Sequence, residues 1–233
     1  MGVLARAPRY VSAAAYNPLT LTPTHWFRAN DLVGADASAV ATWTDLSGNA
    51  YNATQATGAN QPTLRTSVLG GKSVVRFDGA NDFVRTASNG TFSQPSTFVV
   101  VAKLNGTGTQ KFIIDGMNAN RHALFREATD RWYAFAGTVY DFAASDNAWN
   151  IFVITFNGAS SKVWLNGGAS FNGSTGAQTY AGVTIGAQSS DNSPMDGDVA
   201  EVLAANSALS LTQINDYGNS LATFYGLTWS TAT

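Results

Sequence analysis

The apolar positions between residues 149 and 165 predict a hairpin. Apolar side chains occupy both alternating phases of the first arm, with Trp149, Ile151 and Val153 on one phase and Phe152, Ile154 and Phe156 on the other. A strand that is apolar on both sides is typical of a sheet covered on both faces. Asn157-Gly158 supplies a turn signal, and residues 162–165 form the returning arm. We therefore expect this hairpin in the interior of an all-β core.

The rest of the chain repeats this pattern in shorter runs. β-Branched, aromatic and alternating apolar residues predict further strands at 25–29, 39–43, 72–78, 96–104, 111–114, 123–126, 132–136, 183–186 and 199–204, with another starting at 81–84. Eight Asn-Gly or Asp-Gly dipeptides accompany these runs and favour many antiparallel reversals. The pattern is typical of an all-β domain with many antiparallel strands.

One helix is predicted near the C-terminus. Ser210 is a good N-cap, and Gln213 follows three residues later, which is the spacing of a capping box. Leu211, Ile214, Leu221 and Tyr225 fall on one helical face, and Gly226 is placed to end the helix. We expect this helix to close over an edge or an end of the sandwich.

Composition excludes several classes of function. The 233-residue chain has no cysteine, which excludes disulfides and thiolate metal sites. Its net charge of −2, with 12% charged residues, favours neither nucleic acid nor an acidic membrane as a partner. No apolar run approaches the roughly 20 residues that span a bilayer, so we expect no membrane insertion.

The first 22 residues differ from the rest. They are rich in Ala, Pro and Thr and lack the apolar core of a signal peptide. We expect an extended N-terminal arm at 1–22 and a single domain at 23–233, with synthesis in a cytoplasm and no signal peptide. A loose terminus or a first edge strand is the alternative for the arm.

Five segments, in this order and spacing, carry a family resemblance. They are residues 43–49 (WTDLSGN), 72–84 (KSVVRFDGANDFV), 196–203 (DGDVAEVL), 208–214 (ALSLTQI) and 224–227 (FYGL). From about Trp26 to Trp229 the chain resembles a laminin-G-like, concanavalin A-like jelly roll. The resemblance implies two antiparallel sheets packed face to face. Such domains occur in bacterial exoproteins and in bacteriophage tail and other virion proteins. They commonly bind glycans or proteins, sometimes with calcium, and most are not catalytic.

This resemblance leads to a functional expectation. The first hypothesis is a non-enzymatic virion protein, a bacteriophage minor tail or tail-tip component. Its sandwich would contact host glycan or protein, and its arm would bind other virion proteins. The alternatives are a head decoration protein, a secreted carbohydrate-binding module outside the cell, and a glycoside hydrolase. Homo-oligomerisation stays open.

Aromatic residues beside amides and carboxylates mark a candidate glycan-binding surface. Aromatic side chains stack on sugar rings, while amide and carboxylate groups bind sugar hydroxyls. The candidates are Trp132, Tyr133, Tyr140, Asn118, Asn120, Arg121 and Asp141, together with Trp164 as a stacking platform on an outer face. Trp164 alternates with Val163 and Leu165, and its alternative is a tryptophan covered by a neighbouring segment.

Calcium is the one cofactor that the pattern leaves open. Carboxylate and amide oxygens cluster in two turns, and the candidate ligands are Asp78, Asn81, Asp82, Asp196 and Asp198, with Asp191 and Asn192 nearby. The alternative is that these side chains bind their own backbone.

A carboxylate series at 196–201 resembles the acidic strand of glycosidases that share this fold. Asp196 and Asp198 share one side of a regular strand, but Glu201 lies at an odd offset and points away. Only a bulge would bring Glu201 round. We therefore assign no catalytic residue.

Overall fold

The computed structural model describes residues 16–106, 108–117 and 119–233. Within these ranges the chain forms two sheets of eight strands each and one α-helix, and every strand pair in the sheets is antiparallel. The predicted all-β sandwich with one C-terminal helix is confirmed. In these ranges no helix is long and apolar enough to cross a membrane.

The first sheet contains the longest strands. Its members are β1 (Pro23–Arg28), β4 (Thr63–Leu69), β5 (Lys72–Asp78), β7 (Ser96–Leu104), β12 (Trp149–Phe156), β13 (Ser161–Leu165), β14 (Phe171–Gly173) and β16 (Asp196–Ala205). They are arranged as β14-β13-β12-β7-β16-β5-β4, and β1 also pairs with β16.

The second sheet is built from shorter strands. Its members are β2 (Thr42–Trp43), β3 (Ala53–Thr54), β6 (Val84–Arg85), β8 (Lys111–Asp115), β9 (Ala123–Arg126), β10 (Trp132–Phe135), β11 (Val139–Phe142) and β15 (Thr184–Ile185). Their order is β11-β10-β9-β8-β15-β6-β3-β2.

The predicted central hairpin is β12 and β13, and β12 lies inside the first sheet between β13 and β7. Phe152, Ile154 and Phe156 enter the core between the sheets, whereas Ile151 and Val153 enter a second core on the other side. This confirms the two apolar phases. The turn differs from a two-residue Asn-Gly turn, because a short 3-10 segment, Gly158–Ser160, connects the arms.

Helix α1 (Leu211–Tyr225) creates that second core. Ser210 and Gln213 form the predicted capping box, and Gly226 ends the helix with φ of 68°. Ile214, Leu221 and other apolar side chains of the helix pack on the outer face of the first sheet. The helix therefore covers a sheet face and not an edge or an end, because its apolar stripe matches the outward residues of β5, β7, β12 and β16.

Residues 16–22, the end of the predicted arm, pack on the domain. Pro18–Leu21 forms a 3-10 turn, and Leu21 is buried in the core beneath the helix. The ring of Tyr16 stacks on that of Tyr217 with 5.6 Å between centroids. These contacts correct the assignment of residues 16–22 to an extended arm. Residues 1–15 of that arm lie outside the described residues.

Candidate functional site

The outer face of the second sheet carries the candidate site. Along β9, β10 and β11, Leu124, Trp132, Ala134 and Phe142 enter the core between the sheets. The alternate positions therefore point outward. We call the outward group the ladder face, and it consists of Phe112, Phe125, Tyr133, Phe135, Arg121 and Asp141.

Three aromatic rings stand side by side across neighbouring strands of the ladder face. The Phe112 and Phe125 rings are 4.5 Å apart and 13° from parallel, and the Phe125 and Tyr133 rings are 5.3 Å apart and 18° from parallel. These spacings are close to the roughly 4.8 Å between strands, so each strand contributes one ring. Asp141 lies directly opposite Tyr133 on the next strand. The ladder therefore ends in a half-buried tyrosine beside a carboxylate.

Charged side chains frame these rings. The Nε of Arg121 donates to both carboxylate oxygens of Asp115 at 3.0 Å. The same guanidinium lies 5.5 Å from the Phe112 ring centre and 5.0 Å from that of Phe135, within cation–π range. Asp141 forms an ion pair with Arg131. A polar rim around an apolar centre is the layout that binds amphipathic sugar rings.

The structure brings together part of the predicted glycan site. Tyr133, Arg121 and Asp141 share the ladder face. Asn120 precedes Arg121 in the turn before β9, and its Oδ1 accepts a hydrogen bond from the Thr179 hydroxyl at 3.2 Å. Asn118 lies outside the described residues.

Trp132 and Tyr140 occupy the opposite phase. Trp132 is only 1% exposed, and its indole N–H donates to Asp146 at 3.1 Å. Tyr140 is half-buried and packs against the core between the sheets. Both are corrected from surface to core residues, because they alternate with Tyr133 and Asp141 across β10 and β11.

Trp164 lies on the outer side of the first sheet, opposite Val163, as its alternation predicts. It is nevertheless 3% exposed, and its indole N–H donates to the carbonyl of Thr233 at 3.2 Å. The C-terminal segment and the helix-side core cover the ring. Trp164 is therefore the covered tryptophan of the alternative interpretation and not a stacking platform.

Sequence reasoning missed Phe112, Phe125 and Phe135. Each lies in a strand that was predicted, and period-two alternation places each opposite a core residue. Pairing between β8, β9 and β10 aligns them, and that register depends on a shift between Phe112 and Ile114. A pairing register that includes a bulge is not encoded in a local pattern.

The residues present do not fit a calcium site. Asp78 accepts the backbone N–H groups of Ala80 and Asn81, Asp82 accepts that of Asp78, and Asp198 is held by Arg76 at 2.7 and 2.9 Å. Asp196 binds Asn105, and Asp191, in the same loop as Asn192, binds Arg85. Among the described residues no three acidic or histidine side chains form a group able to hold an ion. The predicted ligands are turn-forming and ion-paired residues.

Strand β16 carries the carboxylate series at 196–201. It contains the bulge that is needed to bring Glu201 to the same side as Asp198. The pairing of β16 with β7 shifts between Val199 and Glu201, which turns Glu201 to the helix side. There the Glu201 carboxylate accepts from Trp26 at 2.7 Å, Tyr217 at 2.6 Å and Tyr225 at 2.8 Å. Burial raises the pKa of this carboxyl above its ordinary value. Glu201 thus ties the helix to the sheet.

No protein-family model matches the chain, and no curated protein sequence matches it. Solved structures do share its fold. Trypanosoma rangeli sialidase in complex with sialic acid is 14% identical, with a TM-score of 0.61; the match covers 96% of this chain and 36% of the sialidase chain. The chain therefore spans about a third of the sialidase's length.

Two further structures are similar. Domain 4 of AbnA, a GH43 extracellular arabinanase from Geobacillus stearothermophilus in complex with arabinotriose, is 14% identical with a TM-score of 0.61; the match covers 84% of this chain and 98% of that domain. A GH54 α-L-arabinofuranosidase mutant is 11% identical with a TM-score of 0.61, over 87% of this chain and 59% of the enzyme. These likenesses agree with a two-sheet sandwich and are loosely consistent with the lectin- and glucanase-like resemblance.

The expectation of a bacteriophage tail protein is wrong. The three structures described above are carbohydrate-active enzymes or a domain of one, and they give the virion interpretation no support. They agree better with the carbohydrate-related alternatives.

Proposed function

We propose that this protein is a carbohydrate-binding domain that holds a glycan on the ladder face without cleaving it. The observation that carries the proposal is the aromatic ladder ending in Tyr133 beside Asp141. It lies on the outer face of the second sheet, where Phe112 and Phe125 are buried and Tyr133 and Phe135 are half-buried. The arabinanase domain that aligns over 98% of its length is in complex with arabinotriose, which supports an oligosaccharide as the ligand class.

The chemistry of the ladder face fits a sugar. The C–H groups of a pyranose or furanose ring pack on Tyr133 and Phe135, both of which are half-buried. The Asp141 carboxylate accepts hydrogen bonds from sugar hydroxyls, and Arg131 donates to them. Val139, at 54% exposure, extends the apolar strip to the edge strand. Binding without a deep pocket is suited to one side of a polysaccharide chain.

Two features of the acidic strand support binding over hydrolysis. Retaining and inverting glycosidases need two carboxyl groups that face a scissile bond. The Glu201 carboxylate is buried beneath the helix with three hydrogen-bond donors on it, and Asp198 is held by Arg76. Both residues are only 2% exposed, and their carboxylates are already occupied by these partners.

The experiment is a glycan array followed by calorimetry with arabinotriose and the array's strongest ligands. We expect Tyr133→Ala and Asp141→Ala each to weaken binding about tenfold, because each removes an interaction worth about 1 kcal/mol or more. The matched control is Lys162→Ala, an exposed strand residue on the first sheet, which should bind as the wild type does.

Two results would overturn the proposal. One is binding that survives both ladder-face substitutions. The other is polysaccharide hydrolysis by the purified protein that Asp198→Asn or Glu201→Gln abolishes.

A further inference from the structure

A cleft opens at the rim of the sandwich, beside the start of β1 and outside the ladder face. Its volume is about 500 Å³, within the range of small-molecule sites. We call it the rim cleft. Its lining combines two aromatic rings with hydroxyl and amide groups, principally Tyr51, Phe92, Thr22, Thr24, Ser47 and Asn49.

The polar wall of the rim cleft is held in place by Asp45. The carboxylate of Asp45, which is 7% exposed, accepts four hydrogen bonds. They come from the backbone N–H groups of Trp26, Ser47 and Tyr51 and from the Ser47 hydroxyl, at 2.7–3.0 Å. The segment 43–49, one of those that carry the family resemblance, is therefore a preformed wall. A preformed site loses less entropy when a ligand binds.

Asn49 is fixed on this wall by its amide nitrogen. The Nδ2 atom donates to the carbonyl of Thr24 at 3.0 Å and to that of Pro23 at 3.3 Å. Its Oδ1 accepts no hydrogen bond from the described residues, and neither does the Tyr51 hydroxyl bond to any of them. An oriented amide oxygen and a phenolic hydroxyl thus remain for a ligand.

The aromatic wall carries no charge at neutral pH. His25 lies behind it, with its ring centre 5.3 Å from Tyr51 and 5.8 Å from Phe92. Burial lowers the pKa of His25 to about 4, so its imidazole is neutral. None of the residues that line the rim cleft is charged. A charged ligand would find no counter-ion there, which makes its desolvation costly.

We propose that the rim cleft is a second binding site, one that takes the terminal ring of a neutral glycan. The ring packs on Tyr51 and Phe92, and its hydroxyls bond to Asn49 Oδ1 and to the Tyr51 hydroxyl. This site rests on the proposed function only for the class of ligand; its residues are separate from the ladder face. It predicts discrimination against sugars that carry a carboxylate at the terminal position.

The test uses a microarray of neutral and acidic glycans with four variants of the full chain. Tyr51→Ala removes one ring, and Leu19→Trp fills the cleft from a 44% exposed position whose side chain makes no hydrogen bond. Tyr133→Ala changes the ladder face alone. We expect the first two variants to weaken neutral-glycan binding about tenfold, and Tyr51→Phe to weaken it severalfold by removing the hydroxyl. Thermal unfolding verifies that each variant is folded.

The outcomes separate this inference from the proposed function. If Tyr133→Ala loses binding and neither Tyr51→Ala nor Leu19→Trp does, the result supports binding at the ladder face and overturns binding at the rim cleft. Loss in the rim variants, with none in Tyr133→Ala, supports the rim cleft and overturns the ladder face. A preference for acidic terminal sugars that depends on Tyr51 overturns the assignment to neutral glycans. Silence of the wild-type protein across the array overturns both sites.

Discussion

The two outer faces of the sandwich are built from similar strands but are covered differently. On the first sheet, outward residues such as Val101 and Val153 are aliphatic, and helix α1 buries them. On the second sheet, the outward residues are aromatic rings beside arginine and aspartate. No α-helix of the described chain packs on them, although Phe112 and Phe125 are buried among their neighbours. Beneath the helix an outward carboxylate such as Glu201 is fully hydrogen-bonded, whereas Asp141 on the second sheet stays partly exposed and is the group that we propose for binding.

Substituting Glu201 and Asp141 compares how much a carboxylate on each face contributes to the free energy of unfolding. Glu201→Ala leaves an indole N–H and two tyrosine hydroxyls without their acceptor beneath the helix. We expect it to lower the free energy of unfolding by roughly 3–5 kcal/mol. Asp141→Ala breaks a solvent-exposed ion pair with Arg131 and should cost under about 1 kcal/mol. Urea unfolding of the two variants measures both. Equal losses would mean that the faces do not differ as described.

The layer between the sheets has its own pH signature. Burial lowers the pKa of His122 to about 4, while its Nε2–H donates to the carbonyl of Gln178. The unfolded chain therefore binds a proton below about pH 6.5 and the folded chain only below about 4. Stability conferred at neutral pH is lost as the pH falls through this window. Wild type should lose about 3 kcal/mol relative to His122→Gln between pH 7 and pH 4.

Comparing the wild type with His122→Gln controls for the other groups that titrate in this pH range. Asp82, whose pKa burial and the nearby Asp78 carboxylate raise to about 6, acts in the opposite direction. It is present in both proteins, as is His25, so the difference between the two stability curves isolates residue 122. A difference that is flat with pH would contradict a neutral, buried His122.

Phe125 sits in the middle of the ladder, and its loss should affect both stability and binding. Phe125→Ala removes a ring stacked between Phe112 and Tyr133. We expect a loss of about 3 kcal/mol in the free energy of unfolding and weaker glycan binding, because Tyr133 loses its support. Phe125→Leu should restore most of the stability and less of the binding. If both variants bind normally, the ladder is structural only.

The smallest effect is expected at the cap of the covering helix. Ser210→Ala removes the side-chain acceptor for the N–H of Gln213 and should cost about 1 kcal/mol, with no change in glycan binding. Ser220→Ala, a substitution in the interior of the same helix, is the control. Reduced glycan affinity in Ser210→Ala would show that the two faces are coupled.

The fold was largely predictable, because its signals are local. The two phases of residues 149–156 placed β12 between two cores, and Ser210, Gln213 and Gly226 bounded the helix. The docking position of the helix could not be predicted from its own residues, because an apolar stripe packs against any apolar surface. The strand β4 was missed because its residues 66–68 are exposed and break the alternation.

The site was predicted only in part, for a related reason. Tyr133, Arg121 and Asp141 were identified from residue type, but so were Trp132 and Trp164, which the fold buries. Telling them apart requires the register of β10 against its neighbours and the path of the C-terminal segment over Trp164. The bulge before Glu201 likewise depends on how β16 pairs with β7. Each depends on residues far away in sequence.

A nuclear magnetic resonance titration with the strongest ligand from the glycan array tests the central claim most directly. Backbone amide signals would be followed in β9, β10, β11 and helix α1. A ligand held on the ladder face shifts the amides around Phe125, Tyr133 and Asp141 and leaves those of the helix in place. Shifts confined to the helix and the first sheet, with β9–β11 unchanged, would contradict a binding face on the second sheet.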